Sequence, residues 1–209
     1  MNSFVFTDWV RKSCEFFLKH VYLNLLWLLF VLIGCLFLGV APATVALCAI
    51  HKKWLEETFI QSLFIEFWQQ FKKHFLKANL LFYLLILMGS IIYFDLYFFI
   101  HQESLVFSVL SVIIFVLSIW FMITFVYVFP VYVSFELKWL TTIKYALIIA
   151  FLNPVRTILL IFLVWGMTFL SLYYPQILLT VGVSLTIFMV MIVSLQAFHQ
   201  IEKQREKHS

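Results

Sequence analysis

Long uninterrupted apolar runs organise the chain, and its polar residues collect between them. Five runs stand out, over positions 22–50, 78–100, 105–129, 154–173 and 176–198. Each reaches the roughly 20 residues that an α-helix needs to cross a hydrocarbon core about 30 Å thick. None alternates apolar and polar positions as a barrel strand does. A helix satisfies its own backbone in lipid, so the pattern predicts an all-α polytopic membrane protein with about five transmembrane helices. Gly39 and Pro42 interrupt the first run and predict a kink there. Beyond Pro42 only about eight apolar residues follow, roughly 12 Å of helix, too short to recross a bilayer. The run is therefore expected to form one long kinked crossing. Ala41-Pro42-Ala43 has the small residues of a signal-peptide cleavage site, but apolar residues continue to Ile50, which favours a retained helix.

Three other stretches carry apolar residues at spacings of three and four, opposed by polar ones. Over 1–20, Phe6, Trp9, Phe16 and Phe17 oppose Asp8, Arg11, Lys12, Glu15 and Lys19. Over 58–75, Ile60, Phe64, Phe67, Phe71 and Phe75 oppose Glu66, Gln69, Gln70 and Lys73. Over 136–150 the stripe is Leu137, Leu140, Ile143 and Leu147. Such segments are expected as short amphipathic helices in the headgroup region. The second, from Thr58 to Phe75, could instead dock on a partner subunit.

Composition agrees with lipid as the solvent. The 209 residues are 65% apolar and 11% charged, against about half and about a quarter in a soluble domain. The net charge of +4 comes from basic residues near the ends of apolar runs. That placement suits topogenic charge and anionic lipid contact and implies no nucleic-acid partner. The turns at 101–104 and 174–175 hold no Lys or Arg. The other connections hold Lys52, Lys53, Lys72, Lys73 and Lys77, then Lys138, Lys144 and Arg156, and the tail over 199–209 holds Lys203, Arg205 and Lys207. The positive-inside rule puts this side, and so the C-terminus, in the cytoplasm. Five crossings then put the N-terminus outside, against the charge of Arg11, Lys12 and Lys19.

Candidate chemistry is sparse. Asp95 is the acidic residue set well inside an apolar run; it could bind a cation, relay a proton, or reach the interface one and a half turns away. Asn24 and Asn79 lie near the starts of the first two runs and are expected to make interhelical hydrogen bonds. Arg156 follows Asn153-Pro154, an N-cap and first-turn proline that open the fourth crossing, and is expected to reach toward lipid phosphate. Ser104, Ser111 and Ser118, with Ser108, form a stripe suited to close helix packing. The six histidines, His20, His51, His74, His101, His199 and His208, are scattered near segment ends without metal-site spacing, and His51 beside Lys52 and Lys53 reads as a helix-end anchor. Cys14, Cys35 and Cys48 show no paired spacing. No phosphate loop, dinucleotide fingerprint or nucleophile elbow is present. No cofactor, metal or catalytic residue is expected.

The run NLLWLLFVLIGCLFLGVAPATVALCAIHKKWL resembles the N-terminal signature of YesL-like bacterial membrane proteins, through Asn24 to Leu29, Pro42-Ala43-Thr44, Ala46-Leu47 and Lys53-Trp54. FWQQFKKHFLKANLLF, over 67–82, and Asn153-Pro154 are also similar to that family. The resemblance covers most of the chain. It implies a bacterial cytoplasmic membrane protein whose genetic neighbours are carbohydrate ABC transporters and glycoside-degrading enzymes. The expected role is thus a non-enzymatic accessory to carbohydrate uptake, with a transporter permease as partner. The alternative is a small transporter or channel with a polar path through Asp95, Asn79 and the serine stripe. The family has no established catalytic residues to carry over, and the oligomeric state is left open.

Overall fold

A computed structural model describes the backbone of residues 2–102 and 104–206, with side chains over 8–102 and 104–200. Phe6, Glu103, Lys203, Arg205, Lys207 and His208 lie outside the described side chains. The described chain folds into α1 (Asn2–Ile33), α2 (Val40–Leu55), α3 (Leu63–Ile100), α4 (Leu105–Phe135), α5 (Trp139–Leu152) and α6 (Pro154–Tyr173). A helical turn α7 (Pro175–Ile177) then runs through a π-turn (Leu178–Gly182) into α8 (Val183–Glu206). Among the described residues, five helices are long and apolar enough to cross a membrane: Asp8–Ile33, Leu63–Ile100, Leu105–Phe135, Pro154–Tyr173 and Pro175–Gln200. The all-α polytopic architecture is the one the apolar pattern implies.

The first apolar run departs from expectation. It is a helical hairpin and not one kinked rod. α1 ends at Ile33, the chain reverses through 34–39, and α2 runs back antiparallel. Trp27 donates to Thr44 at 3.2 Å, and the His20 and His51 rings stand 5.3 Å apart. Two glycines permit the reversal. A Cβ on Gly39 would lie 2.7 Å from the Cα of Val31, and one on Gly34 would overlap Gly39. Cys35 and Leu36 take left-handed backbone at φ 54° and 64°, a conformation unfavourable for a residue with a Cβ. Asn79 Nδ2 donates to the Leu38 carbonyl at 2.9 Å and Tyr83 Oη to that of Phe37 at 3.0 Å, so α3 holds the turn. The returning helix is longer than the apolar run suggests because it continues through Lys52, Lys53 and Trp54 to Leu55. Its 16 residues span roughly 24 Å. Residues 41–51 are buried except Thr44, so protein, not lipid, surrounds α2. Ala41, Ala43, Ala46 and Ala49 allow that close approach.

Two of the amphipathic stretches are also not separate helices. The first is the opening of α1, and the second is continuous with the crossing in the 38-residue α3. That helix is roughly 57 Å long. The stripe of the second turns inward: Phe67 and Phe71 are buried, with ring centroids 4.9 and 5.0 Å from that of Phe30. The third stretch is a distinct helix, α5, but its inner face differs from the stripe. Thr142, Ala146, Ile149 and Ala150 are buried, whereas Leu140 and Leu147 are exposed. Small residues let α5 lie close on α4, as the Phe135–Tyr145 and Trp120–Phe151 ring contacts show.

α3 and α4 form a long antiparallel pair, from Phe99–Phe107 at one end to His74–Tyr132 at the other. α8 starts antiparallel to α1, through Phe16–Phe188, and finishes against the end of α4, through Phe135–Phe198. The start of α1 therefore lies at the same end of the hairpin as Lys52 and Lys53. The reversal at 34–39 thus puts Arg11, Lys12 and Lys19 on the side of Lys52 and Lys53, where five plain crossings would set them apart.

Candidate functional site: a buried histidine pair

The hairpin pairing brings together two histidines 31 positions apart in sequence. His20 and His51 are both buried, their rings stacked with an interplanar angle of 29°. The Ser184 hydroxyl, at the start of α8, sits between them. His20 Nδ1 is 2.9 Å from Ser184 Oγ, and His51 Nε2 is 3.4 Å from it. The outer ring atoms, His20 Nε2 and His51 Nδ1, are buried with no hydrogen-bond partner among the described residues. Phe16, Trp54 and Phe188 close over the pair, with ring centroids 4.4 to 5.8 Å from the imidazoles.

Counting protons shows what this arrangement can do. Ser184 has one hydroxyl proton, and each neutral imidazole has one N–H. If the hydroxyl donates to His20, His51 donates to the hydroxyl through Nε2. His20 Nε2 is then an N–H without an acceptor, and His51 Nδ1 a lone pair without a donor. Reversing both bonds exchanges these roles. In either arrangement the ends of the chain are one donor and one acceptor, so shifting the protons through Ser184 moves one proton across the cluster. A two-way relay of this kind uses both imidazoles in the neutral form. Ser184 has the serine–histidine contact used in nucleophilic catalysis. However, its side chain is fully enclosed, and the backbone N–H groups of Val183 and Ser184 are engaged by Asn24.

Asn24 positions the serine. A π-turn spaces its bonds five residues apart and leaves backbone groups unpaired. Asn24 meets them from both sides. Its Nδ2 donates to the carbonyls of Leu178 and Leu179 at 3.0 and 2.8 Å. Its Oδ1 accepts from the N–H groups of Val183 and Ser184, both at 3.1 Å. Gly182 keeps the turn tight, since a Cβ there would lie 3.0 Å from the Ile177 carbonyl oxygen.

The other candidates go elsewhere. Asn79 serves the hairpin turn, as described above. Asp95 lies 16 positions further along α3, roughly 24 Å along the axis. It is exposed at an apolar cleft of about 280 Å³ shared with Leu117, Trp120, Ile143 and Leu147. Arg156 Nη1 donates to the Gln196 carbonyl at 2.6 Å and so ties α6 to α8. Asn153 precedes α6, but its side chain makes no capping bond; Nδ2 donates back to the Ile149 carbonyl. In the serine stripe, Ser108, Ser111 and Ser118 each donate to a carbonyl of their own helix. His20 and His51, read from the sequence as edge residues, are the centre of the site. The sequence signal was the Gly34/Gly39 reversal: an antiparallel pairing that matches Trp27 to Thr44 also matches His20 to His51.

The family model described as "Protein of unknown function, DUF624" matches residues 20–96, which include His20, Asn24, His51, Asn79 and Asp95. The chain is 32% identical to the Bacillus subtilis uncharacterized protein YteU, over 94% of this chain and 90% of YteU. It is 32% identical to YesV of the same organism, over 96% and 97%, and 28% identical to YesL, over 95% and 93%. No solved structure matches it. Relatedness at this level along nearly the whole length establishes that the chain belongs to the DUF624 family of YesL-like proteins.

Proposed function

We propose that the chain is a non-enzymatic accessory membrane protein that packs against the permease of a carbohydrate ABC-type uptake system. The observation carrying this reading is how its polar residues are spent. Asn24, Asn79 and Arg156 each tie one helix to another backbone. The serines bond within α4, and Asp95 stands apart. A conducting path through Asp95, Asn79 and the serines would need them side by side. Meanwhile no residue of 86–100 or of 104–123 is buried, so the outer half of the α3/α4 pair offers a long apolar surface to lipid or to another membrane protein. Purification in mild detergent with identification of co-purifying subunits tests the reading. A permease should accompany the chain; a chain that emerges alone and supports solute flux in liposomes contradicts it.

One observation favours the alternative of a small transporter: the His20–Ser184–His51 cluster can pass a proton. A proton-coupled flux lost in Ser184→Ala would establish that alternative.

The cationic end belongs in the cytoplasmic face of a bacterial cell membrane by the positive-inside rule, with the start of α1 on the same side. Cys14 is exposed in α1. In a Cys35→Ser background, an impermeant thiol reagent should label Cys14 in inverted vesicles and spare it in right-side-out ones. The reverse pattern overturns the orientation.

A further inference from the structure

Phe16, Trp54 and Phe188 face two ways. On one side their rings stand 4.4 to 5.8 Å from the imidazoles of His20 and His51. On the other they line an open cavity of about 670 Å³ between α1, the end of α2 and the linker that follows. Neither histidine lines that cavity. One layer of rings therefore separates the buried pair from it. Lys12, Lys19, Glu15 and Glu57 stand around the mouth. Two charges of each sign select no ion, but their hydration keeps the space wet. Phe16 is 43% exposed, and exposed side chains change rotamer within nanoseconds. The layer can thus part without unfolding of the helices beneath it.

Under the rings, His20 Nε2 and His51 Nδ1 have no hydrogen-bond partner among the described residues. Buried polar atoms of this kind are met by water. Phenyl rings offer no group that accepts a proton, and the Trp54 indole only donates a hydrogen bond, so the closed layer blocks exchange. With the layer parted, water reaches both free nitrogens, and a balanced transfer follows. Take the arrangement in which Ser184 donates to His20. Water gives a proton to His51 Nδ1, and the His51 Nε2 proton passes to Ser184 Oγ. The Ser184 proton passes to His20 Nδ1, and the His20 Nε2 proton returns to water. Both imidazoles stay neutral, and each has changed tautomer.

We infer that the three rings are a gate, and that the histidine pair trades protons with the cavity through it. The inference goes beyond the accessory role and requires no solute to be carried. Diethyl pyrocarbonate acylates neutral imidazoles, and quantifying the modified peptides by mass spectrometry measures access site by site. In the full chain in mild detergent, His20 and His51 should react about tenfold or more slowly than the exposed His101. Trp54→Ala and Phe16→Ala should each speed both by about tenfold, with His101 and thiol labelling of the buried Cys48 unchanged. Nitrogen NMR of isotope-labelled histidine in lipid bilayers reads the transfer itself. The two nitrogens of each imidazole should give averaged signals in the wild type and distinct ones in Ser184→Ala, where the path is cut. Unchanged rates at His20 and His51 in both ring variants, or rates that rise only in step with Cys48, overturn the gate. Distinct nitrogen signals in the wild type overturn the transfer.

Discussion

Asn24→Ala removes the fixture of the π-turn, and the size of the effect follows from four bonds. Asn24 is fully buried and makes two donor and two acceptor contacts of 2.8 to 3.1 Å to the backbone of 178–184. A hydrogen bond contributes about 1 kcal/mol net in a soluble protein, and about 0.6 kcal/mol on average between membrane helices. Four together give roughly 2.4 to 4 kcal/mol. The opening can be read at Cys48, which is buried in α2, once the exposed Cys14 and Cys35 are replaced by serine. Where opening and closing are fast relative to labelling, the thiol reacts in proportion to the open population. Each 1.4 kcal/mol is tenfold, so Asn24→Ala should speed Cys48 labelling by about 50-fold to 700-fold. Asn24→Asp keeps an acceptor for Val183 and Ser184 but turns the donor toward Leu178 and Leu179 into a second acceptor, so it should also be destabilised. A change of less than about threefold for Asn24→Ala, under 0.7 kcal/mol, would refute the claim that this side chain holds the π-turn.

Gly39→Ala drives a Cβ to 2.7 Å from the Cα of Val31, both on backbone that cannot give way, and should abolish accumulation of folded protein. Gly166→Ala meets nothing within 4 Å in α6 and should leave stability unchanged or raise it by up to about 1 kcal/mol; the amount of folded protein recovered from membranes checks the first, and detergent thermal unfolding the second. His51→Gln removes the contact with Ser184 and the stack on His20 and should lower the detergent Tm; an unchanged Tm would count against the cluster. Glu136, just past the end of α4, is held below the usual carboxylate range by Lys73, so its contribution is intact at neutral pH and is lost as the pH falls through that lowered value.

Much of the architecture was legible because lipid makes a strong demand on sequence. A crossing must be long, apolar and helical, and α3, α4, α6 and α8 announce themselves that way. The hairpin was not legible from hydropathy. α2 is enclosed by protein, so its end at His51, Lys52 and Lys53 need not be apolar, and a count that stops at Ile50 underestimates it. The stripe over 58–75 reads correctly as a face, but protein and not lipid covers it. Phe67 and Phe71 cover Phe30 within the chain, whereas Leu140 and Leu147 face outward. Asn24 and Asn79 could be singled out because an amide within reach of a membrane needs a partner. Which carbonyls they would meet could not be read, since the partners come from a π-turn 154 positions away and a glycine-bounded reversal. The histidine pair was hidden for the same reason: its members become neighbours only after the chain turns at 34–39.

The reversal of the first apolar run is the claim on which the histidine pair and the placing of the start of α1 beside Lys52 and Lys53 depend. Spin labels on Lys19→Cys and Lys52→Cys, in a background without the three native cysteines, measure it by double electron–electron resonance. The two sites are 33 residues apart, which in a single helical rod would be roughly 50 Å. A hairpin with axes about 8–10 Å apart puts the labels within roughly 20 Å once their own reach is added. A distribution centred near 20 Å or below is the result expected here, and one centred near 50 Å would contradict the account.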